Sequence, residues 1–510
     1  MIRAGKRTIK KKKIKSVAVI GAGFSGLMSS LLLSRSGIHV TLLERSEQVA
    51  PLLQNYYYQG FEVNNGFHYI GGYYPGGALY RSFEQLGIND KLKPLSFNDA
   101  GFDCFSGITN EEIVVPVGLE RVRSVMERAF PESERVLNEY FKLMEEVFQE
   151  FSFFNLEEYF FKATPTLTGI SLFEFLQERN AEDNLIDFLS IYSLMLLGVC
   201  AKEVPLLTHL LGIGAYFHSV HTFRGGGGAL VEALEGQVRE SGVQILTGSE
   251  VVMINCESRR RFSGLRVRSI NDCQETTLCP DACISTIHPR RLLQLLPDGP
   301  TSNLYSRRIS GCCDTRAVCV FHLAIDKNVA RKYVSNYHIF SRKDSGNLGH
   351  QITLLPDFTS DADSSAAERR VSVMISAWEN DMKKECPGRL NSLCYDAQDL
   401  PEDKYGQFEP EYFKDYRYDM VTRLEGAFPE LKGKYRIINA VSPCHFDRLN
   451  ATWNGAIYGV KCSLDRFGLS TIGPMNGLFL AGQSVTAPGI FGTLISAYMA
   501  SNRIMRSNKL

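Results

Sequence analysis

The sequence predicts an α/β fold in which a dinucleotide-binding domain, built from three separated stretches, is interleaved with an α+β domain. Three observations carry this expectation. A β-branched strand, a glycine turn, an apolar helix and a second strand follow one another within residues 17 to 44. Between residues 225 and 286 a glycine-opened helix leads into a strand, an alternating meander and a closing strand. A last apolar strand, within 477 to 483, ends in glycine ahead of the final helix.

The first stretch is the most specific. Residues 17 to 20 (VAVI) are followed by GAGFSG at 21 to 26, by LMSSLLLSRSG up to Gly37, and by HVTLLE, which closes on Glu44. This is a βαβ unit of the length of a Rossmann-type dinucleotide-binding motif. Gly21 permits the sharp turn, Gly23 lets the backbone approach a pyrophosphate, and Gly26 allows the helix to pack closely on the strand. The helix N-terminus, through Phe24 and Ser25, supplies free N–H groups and the positive end of a dipole. Glu44, 18 residues after Gly26, is placed to accept hydrogen bonds from ribose hydroxyls. A basic start followed by this apolar run also suggests a signal peptide, but a small-residue cleavage site is missing.

In the second stretch GGGG opens a helix at 225 to 240, with apolar Leu230, Val231, Leu234 and Val238. Strands VQIL (243 to 246) and EVVMI (250 to 254), alternating GLRVRS and ETTLC, and DACIST (281 to 286) follow. In the third, GLFLAGQ (477 to 483) leads through SVTAPGIFG to the helix TLISAYMASNRI. A strand ending in Gly482 before a helix is expected to present backbone N–H groups to a flavin or pyrophosphate.

Composition narrows the class. A chain of 510 residues that is 44% hydrophobic, 22% charged and 11% aromatic is not disordered, collagen-like or a coiled coil. Lys+Arg and Asp+Glu both number 56, so no nucleic-acid partner is expected. The balance hides a tail: residues 1 to 15 hold eight basic residues and no acid, leaving 48 basic against 56 acidic residues in the remainder. Such a run is expected to be disordered and solvated. It also suits peripheral membrane contact, each Lys or Arg contributing about 1 kcal/mol near an anionic bilayer. No segment approaches the roughly 18 to 20 uninterrupted apolar residues of a bilayer span. Thirteen scattered cysteines without CxxC pairs read as reduced thiols of a cytoplasmic protein, and no metal site is expected.

Together the three stretches resemble the carotenoid and retinoid branch of FAD-dependent oxidoreductases: phytoene desaturases, carotenoid cis-trans isomerases and retinol saturases. The resemblance spans most of residues 16 to 505. It is carried by GFEVNNGFHYIGG (60 to 72), FRGGGGALVEALEGQVRESGVQI (223 to 245), DACISTIHPRRLLQLLP (281 to 297), NGAIYG (454 to 459) and GLFLAGQSVTAPGIFGTLISA (477 to 497). The FHY-I-G segment is closest to retinol saturases and their bacterial relatives. This implies an FAD-binding domain of the glutathione reductase/amine oxidase kind, formed by residues 16–72, 223–290 and 441–510, with a substrate domain from 73–222 and 291–440. It adds Arg45, Gly66, Val251, Gly482, Gln483, Gly489 and Ile490 to the candidate FAD residues. One feature departs from the family. The glycine pair and basic residue usual after the ribose-binding acid are replaced by APLLQNYYYQG, so Arg45 and the tyrosine run at 56 to 58 are expected to substitute.

The resemblance further implies redox chemistry on carbon–carbon bonds of an apolar polyene or isoprenoid-like substrate: desaturation, saturation or isomerisation. The aromatic stretch FSFFNLEEYFF (151 to 161) and the apolar runs LIDFLSIYSLMLLGV and VPLLTHLLGIGAYF would line a substrate tunnel or form ordinary core. His68 and Tyr69 are the candidate catalytic residues, as proton donors or shuttles; His218, His221 and Tyr458 are weaker candidates. A single dinucleotide fingerprint leaves NAD(P)H, if it is the reductant, as a transient visitor. The rival readings are a flavin amine oxidase or hydroxylase and, from another class, a non-catalytic prenyl-binding protein like the Rab GDP-dissociation inhibitors.

Overall fold

The computed structural model describes residues 13–64, 66–153, 165–257, 260–342, 348–357, 367–376, 413–464 and 469–508. Residues 1–12 of the basic tail, 154–161 of the aromatic stretch and 377–412 of the second substrate stretch lie outside the described residues.

Val17 to Ile20 are buried in succession, as in a parallel strand covered on both faces. Their strand, Ser16–Ile20, pairs in parallel with His39–Leu43 on one side and Ala282–Ser285 on the other, and Gln244–Leu246 and Leu478–Leu480 close the two edges. Three stretches far apart in the chain thus make one five-stranded sheet. Helix Phe24–Arg35 is buried along most of its length because it lies between this sheet and helices Gly226–Glu240 and Gly489–Ser507. That double burial explains why small and apolar residues, Ser25, Ser29 and Ser30 among them, cover its faces without a charged stripe until Arg35, so that it looks like a signal peptide. The final helix begins at Gly489, ahead of the TLISAYMASNRI expected to form it, because nothing in IFG prevents the first turn from closing.

The alternating runs form an antiparallel meander of Ser249–Glu257, Arg261–Ser269 and Glu275–Leu278. A seven-stranded sheet has the order Tyr435–Val441, Val318–Asp326, Glu368–Ser376, Leu348–Pro356, Asn336–Arg342, Asp103–Ser106, Ile113–Val115. Since Val441 is the last residue of its edge strand, the expected boundary at 440/441 cuts into this sheet by one residue. Helices Glu134–Glu150, Asp183–Leu197 and Leu206–His218 pack together beside it. Their core holds a polar triplet, in which His209 bridges the Tyr140 hydroxyl at 2.8 Å and the Ser193 hydroxyl at 2.6 Å.

Candidate active site and cofactor cavity

A cavity of about 1500 Å³ runs from the carboxyl ends of the parallel strands to the face of the seven-stranded sheet. That is where open α/β sheets receive ligands. Gly21, Gly23, Phe24 and Ser25 line it, as do Glu44, Arg45, Gly66, His68, Tyr69, Val251, Gly482, Gln483, Gly489 and Ile490. The chain thus brings together the main cofactor and catalytic candidates except Gly26, while His218, His221 and the tyrosine run at 56 to 58 stay outside the cavity. A Cβ on Gly26 would sit 1.9 Å from the Gly21 carbonyl oxygen, so its part is the close approach of helix to turn. A Cβ on Gly23 would meet nothing within 4 Å and would point into open space.

Neither helix Phe24–Arg35 nor helix Gly489–Ser507 has a side-chain cap at its N-terminus. First-turn residues of both line the same cavity, so two positive helix ends with unsatisfied N–H groups converge there. Gly482 does not contribute as expected: its N–H donates to Ser496 Oγ at 2.8 Å, because the following helix folds back over the strand end. Glu44 accepts the Ala22 N–H at 2.8 Å through Oε2 and the Ser46 N–H at 2.9 Å through Oε1. Each oxygen keeps a further lone pair for a ribose hydroxyl.

The tyrosine run is a correction. Tyr56–Tyr58 forms a hairpin strand with Phe61–Val63 that does not line the cavity; Tyr57 is 77% exposed, and the Tyr56 hydroxyl accepts from Asn439. Arg45 does line the cavity, and the sequence reading missed a second cation. Arg291 reaches the cavity, pairs with Asp447 at 2.9 Å and lies over the Trp453 ring at 5.2 Å. Burial raises the Asp447 carboxyl, while the Arg291 charge partly offsets that. The HPRR segment was a signal, but its value appears only when Asp447 stands opposite.

At the far end the walls change character. Ile191, Leu194, Met195 and Leu196 come from helix Asp183–Leu197, Tyr216 from helix Leu206–His218, and Phe340 and Met374 from the large sheet. Both apolar runs therefore supply cavity wall as well as core, whereas Phe151 and Phe153 pack on Phe491. Tyr69 meets Tyr216 edge to face at 5.4 Å. Burial raises the Tyr69 phenol well above its usual range, the nearby Asp103 charge adding to it, and Tyr458 is pushed up to about 12 by burial. Tyr458 donates to the Met195 carbonyl at 2.9 Å. His68 is lowered to about 4, first by burial and then by the Arg370 charge, so its ring is neutral at pH 7. It also borders a small polar pocket with Asp357, Arg370 and Ser372. His218 and His221 lie off the cavity; His218 stacks on Tyr74.

These residues fit a dinucleotide: a glycine left open where a pyrophosphate would come, two uncapped helix ends, a ribose acceptor and flanking cations. The volume also exceeds the roughly 300 to 1,000 Å³ of a single small-molecule pocket, leaving room for a second ligand. Fold and cavity define an FAD-dependent oxidoreductase. The chain belongs to the flavin containing amine oxidoreductase family, whose model matches residues 24–393. It is 23% identical over 536 aligned positions to an all-trans-retinol 13,14-reductase of Macaca fascicularis, covering 96% of this chain and 86% of that one. It is 22% identical over 351 positions to a 4,4'-diapophytoene desaturase of Staphylococcus haemolyticus, covering 65% of this chain and 67% of that one. The crystal structure of an oxidoreductase from Methanosarcina mazei shares the fold, with a TM-score of 0.66 at 15% identity over 96% of this chain and 100% of that one.

Proposed function

We propose that this flavoenzyme adds or removes hydrogen across a carbon–carbon double bond of an apolar polyene or isoprenoid-like substrate. Bound FAD supplies the hydride exchange. The carrying observation is the far end of the cavity. Besides His338, Thr353, His350 and the neighbouring Arg316, it is walled by aliphatic side chains, Phe340 and neutral phenols, while the lining carboxylates Glu44, Glu47, Glu250 and Asp447 stand with Arg45, Arg268 and Arg291 at the nucleotide end. An ammonium substrate would find no counter-ion among the described residues of the far end. A flat apolar chain needs none. The names of the retinol reductase and diapophytoene desaturase relatives point the same way.

In this proposal Gly21, Gly23, Phe24, Ser25, Gly489 and Ile490 cradle the pyrophosphate, and Glu44 holds the adenosine ribose with Arg45 and Val251 beside it. Gly66, Gly482 and Gln483 border the flavin. His68 and Tyr69 orient the substrate as neutral hydrogen-bonding groups. The domain division at 16–72, 223–290 and 441–510 is kept, with Val441 moved across. A nicotinamide reductant would visit the same cavity in turn with substrate.

The test is anaerobic. All-trans-retinol or a longer polyene is added to reduced and to oxidised enzyme, then primary and secondary amines to oxidised enzyme, and the flavin bands are followed. A polyene is expected to change one flavin state. Rapid bleaching by an amine, with no response to any polyene, would promote the amine oxidase reading. A purified protein without flavin absorption would promote the prenyl-binding one.

The substrate class also motivates a membrane proposal. Among the described residues no helix is long and apolar enough to cross a bilayer, and we propose that the basic N-terminus docks the enzyme on anionic lipid. Deleting residues 1 to 15 should lower co-sedimentation with phosphatidylserine vesicles at low salt. Raising salt should reproduce the loss, since the attraction is screened within about 10 Å at 0.1 M. Equal sedimentation of the two forms at low salt would remove the docking role.

A further inference from the structure

We propose that Asp103, His338 and Thr353 form a buried proton relay that opens on the substrate end of the cavity through the Thr353 hydroxyl. The proposal rests on the carbon–carbon reading above and names the proton source that reading lacks.

The relay is made by strand register. Asp103 lies opposite Asn336 in a parallel pair, and His338 lies opposite Thr353 in the adjoining antiparallel pair. Asn336 and His338 are two residues apart, so these four side chains share one face of the sheet. A register shift after Ile339 lets His350 join that face, although it is an odd number of residues from Thr353.

Asp103 is fully buried. It accepts the Tyr192 hydroxyl at 2.8 Å on Oδ2 and the Asn336 amide at 2.8 Å on Oδ1. His338 Nε2 stands 3.3 Å from the same Oδ1, an ion-pair distance whose alignment falls short of a formal hydrogen bond. His338 Nδ1 is 3.1 Å from Thr353 Oγ1, and His350 Nε2 is 2.9 Å from it on the other side. His338, Thr353 and His350 line the cavity; Asp103 lies behind them.

Two proton arrangements satisfy this set, and they differ by one proton. In the first, His338 carries protons on both nitrogens, toward Asp103 and toward Thr353. Thr353 then accepts from His338 and from His350, and its own O–H turns to the cavity. In the second, His338 keeps only its Nε2 proton, and the Thr353 O–H turns back to donate to Nδ1. Passing from the first to the second delivers a proton outward. The Thr353 O–H bond breaks and a C–H bond forms at the substrate carbon that does not take the hydride. The His338 Nδ1 proton moves to Thr353 Oγ1, and Asp103 is left facing a neutral ring. The hydride and its electron pair belong to the reduced cofactor. Desaturation runs the same transfer backwards.

A carboxylate at this depth is costly to hold, and an amide of the same shape would serve the packing. Asp103 therefore has the role of the buried acid in a triad: it fixes the imidazole tautomer and stabilises the imidazolium. The titratable and charged groups facing the trio are Tyr192 and Tyr216 from the helices, Tyr69 from a loop, His350 from the neighbouring strand and Arg316, whose charge bears on His350. Arg423 holds the His350 and Gln351 carbonyls from behind.

The test uses the FAD-loaded enzyme, chemically reduced without oxygen, with all-trans-retinol as the probe. Thr353→Val removes the hydroxyl and keeps the shape, and Thr353→Ser restores it. Loss of the polyene absorbance should slow on the order of 100-fold in Thr353→Val and recover to within about five-fold in Thr353→Ser. Probe binding to the oxidised enzyme, read from shifts of the flavin bands, should be unchanged in both. In spectra of enzyme labelled with ¹⁵N-histidine, assigned with His338→Gln, Asp103→Asn should shift the His338 ring nitrogens. A wild-type rate in Thr353→Val, or unshifted nitrogens in Asp103→Asn, overturns the relay. If the wild-type enzyme leaves every polyene untouched, the reading of the reaction falls instead, and the nitrogen shifts decide the relay by themselves.

Discussion

Gly23→Leu is expected to yield a folded protein without flavin. Gly23 has φ −68° and ψ 179°, an extended conformation open to any residue, and a Cβ there meets no atom within 4 Å. The substitution therefore strains neither turn nor helix. Its side chain instead occupies the space in front of the first-turn N–H groups of helix Phe24–Arg35, where the pyrophosphate is proposed to bind. The protein should keep its circular dichroism and lose its absorption in the visible flavin bands. Full flavin occupancy in the variant would remove the pyrophosphate from this turn.

Acid should destabilise the fold through buried histidines, and His209 should carry a large share. Burial lowers its pKa from 6.5 to about 3, so it is neutral in the native state. Below pH 6.5 the unfolded chain binds a proton that the native chain refuses. Stability is complete above about pH 6.5 and falls as pH drops toward 3, where the native ring also protonates. At pH 5 linkage puts this cost at about 2 kcal/mol for one such ring. His68, lowered to about 4, and His350, lowered to about 3, act in the same direction. His209→Gln keeps a polar partner for Tyr140 and Ser193 but does not titrate. It should be less stable than wild type at pH 7.5, yet lose about 2 kcal/mol less on going to pH 5, read from urea midpoints of the holoenzyme. Parallel pH profiles would show that His209 is charged, or hydrated, in the native state.

The nucleotide half was legible because its requirements are local. The contact of Gly26 on the Gly21 carbonyl joins residues five apart, and the φ of +94° at Gly21 is marked by the glycine itself, although the side chains that close over it come from Thr286 and Ile287. Glu44 follows from one helix and one strand later. The far half was not legible in this way. Helices Asp183–Leu197 and Leu206–His218 are apolar nearly all round, so no pattern separates the residues that face the cavity, such as Met195 and Tyr216, from those that face the core, such as Tyr192 and Phe217. The tyrosine run failed as a phosphate contact for a related reason. Alternation in a two-stranded hairpin turned Tyr57 to solvent, and a count of residues after Glu44 cannot see the hairpin.

Spacing along the chain was thus enough for the βαβ unit and for dinucleotide binding, since both depend on backbone conformation and on glycines a few positions apart, whereas FAD came from the family resemblance and the order of the parallel strands from the fold. The partners of single polar groups were set by the meeting of distant elements, strand register for Asp103 and the packing of two short helices for Arg291. Asp103 meets Asn336 233 residues away, and Arg291 meets Asp447 156 residues away. A one-residue slip in either strand of the Asp103 pair would turn its side chains to the opposite face and leave a buried carboxylate without donors. That register is held by the packing of the whole seven-stranded sheet against its helices. Asp103, His338 and Thr353 therefore carry no local mark in the sequence, and they become a connected set only in the folded sheet.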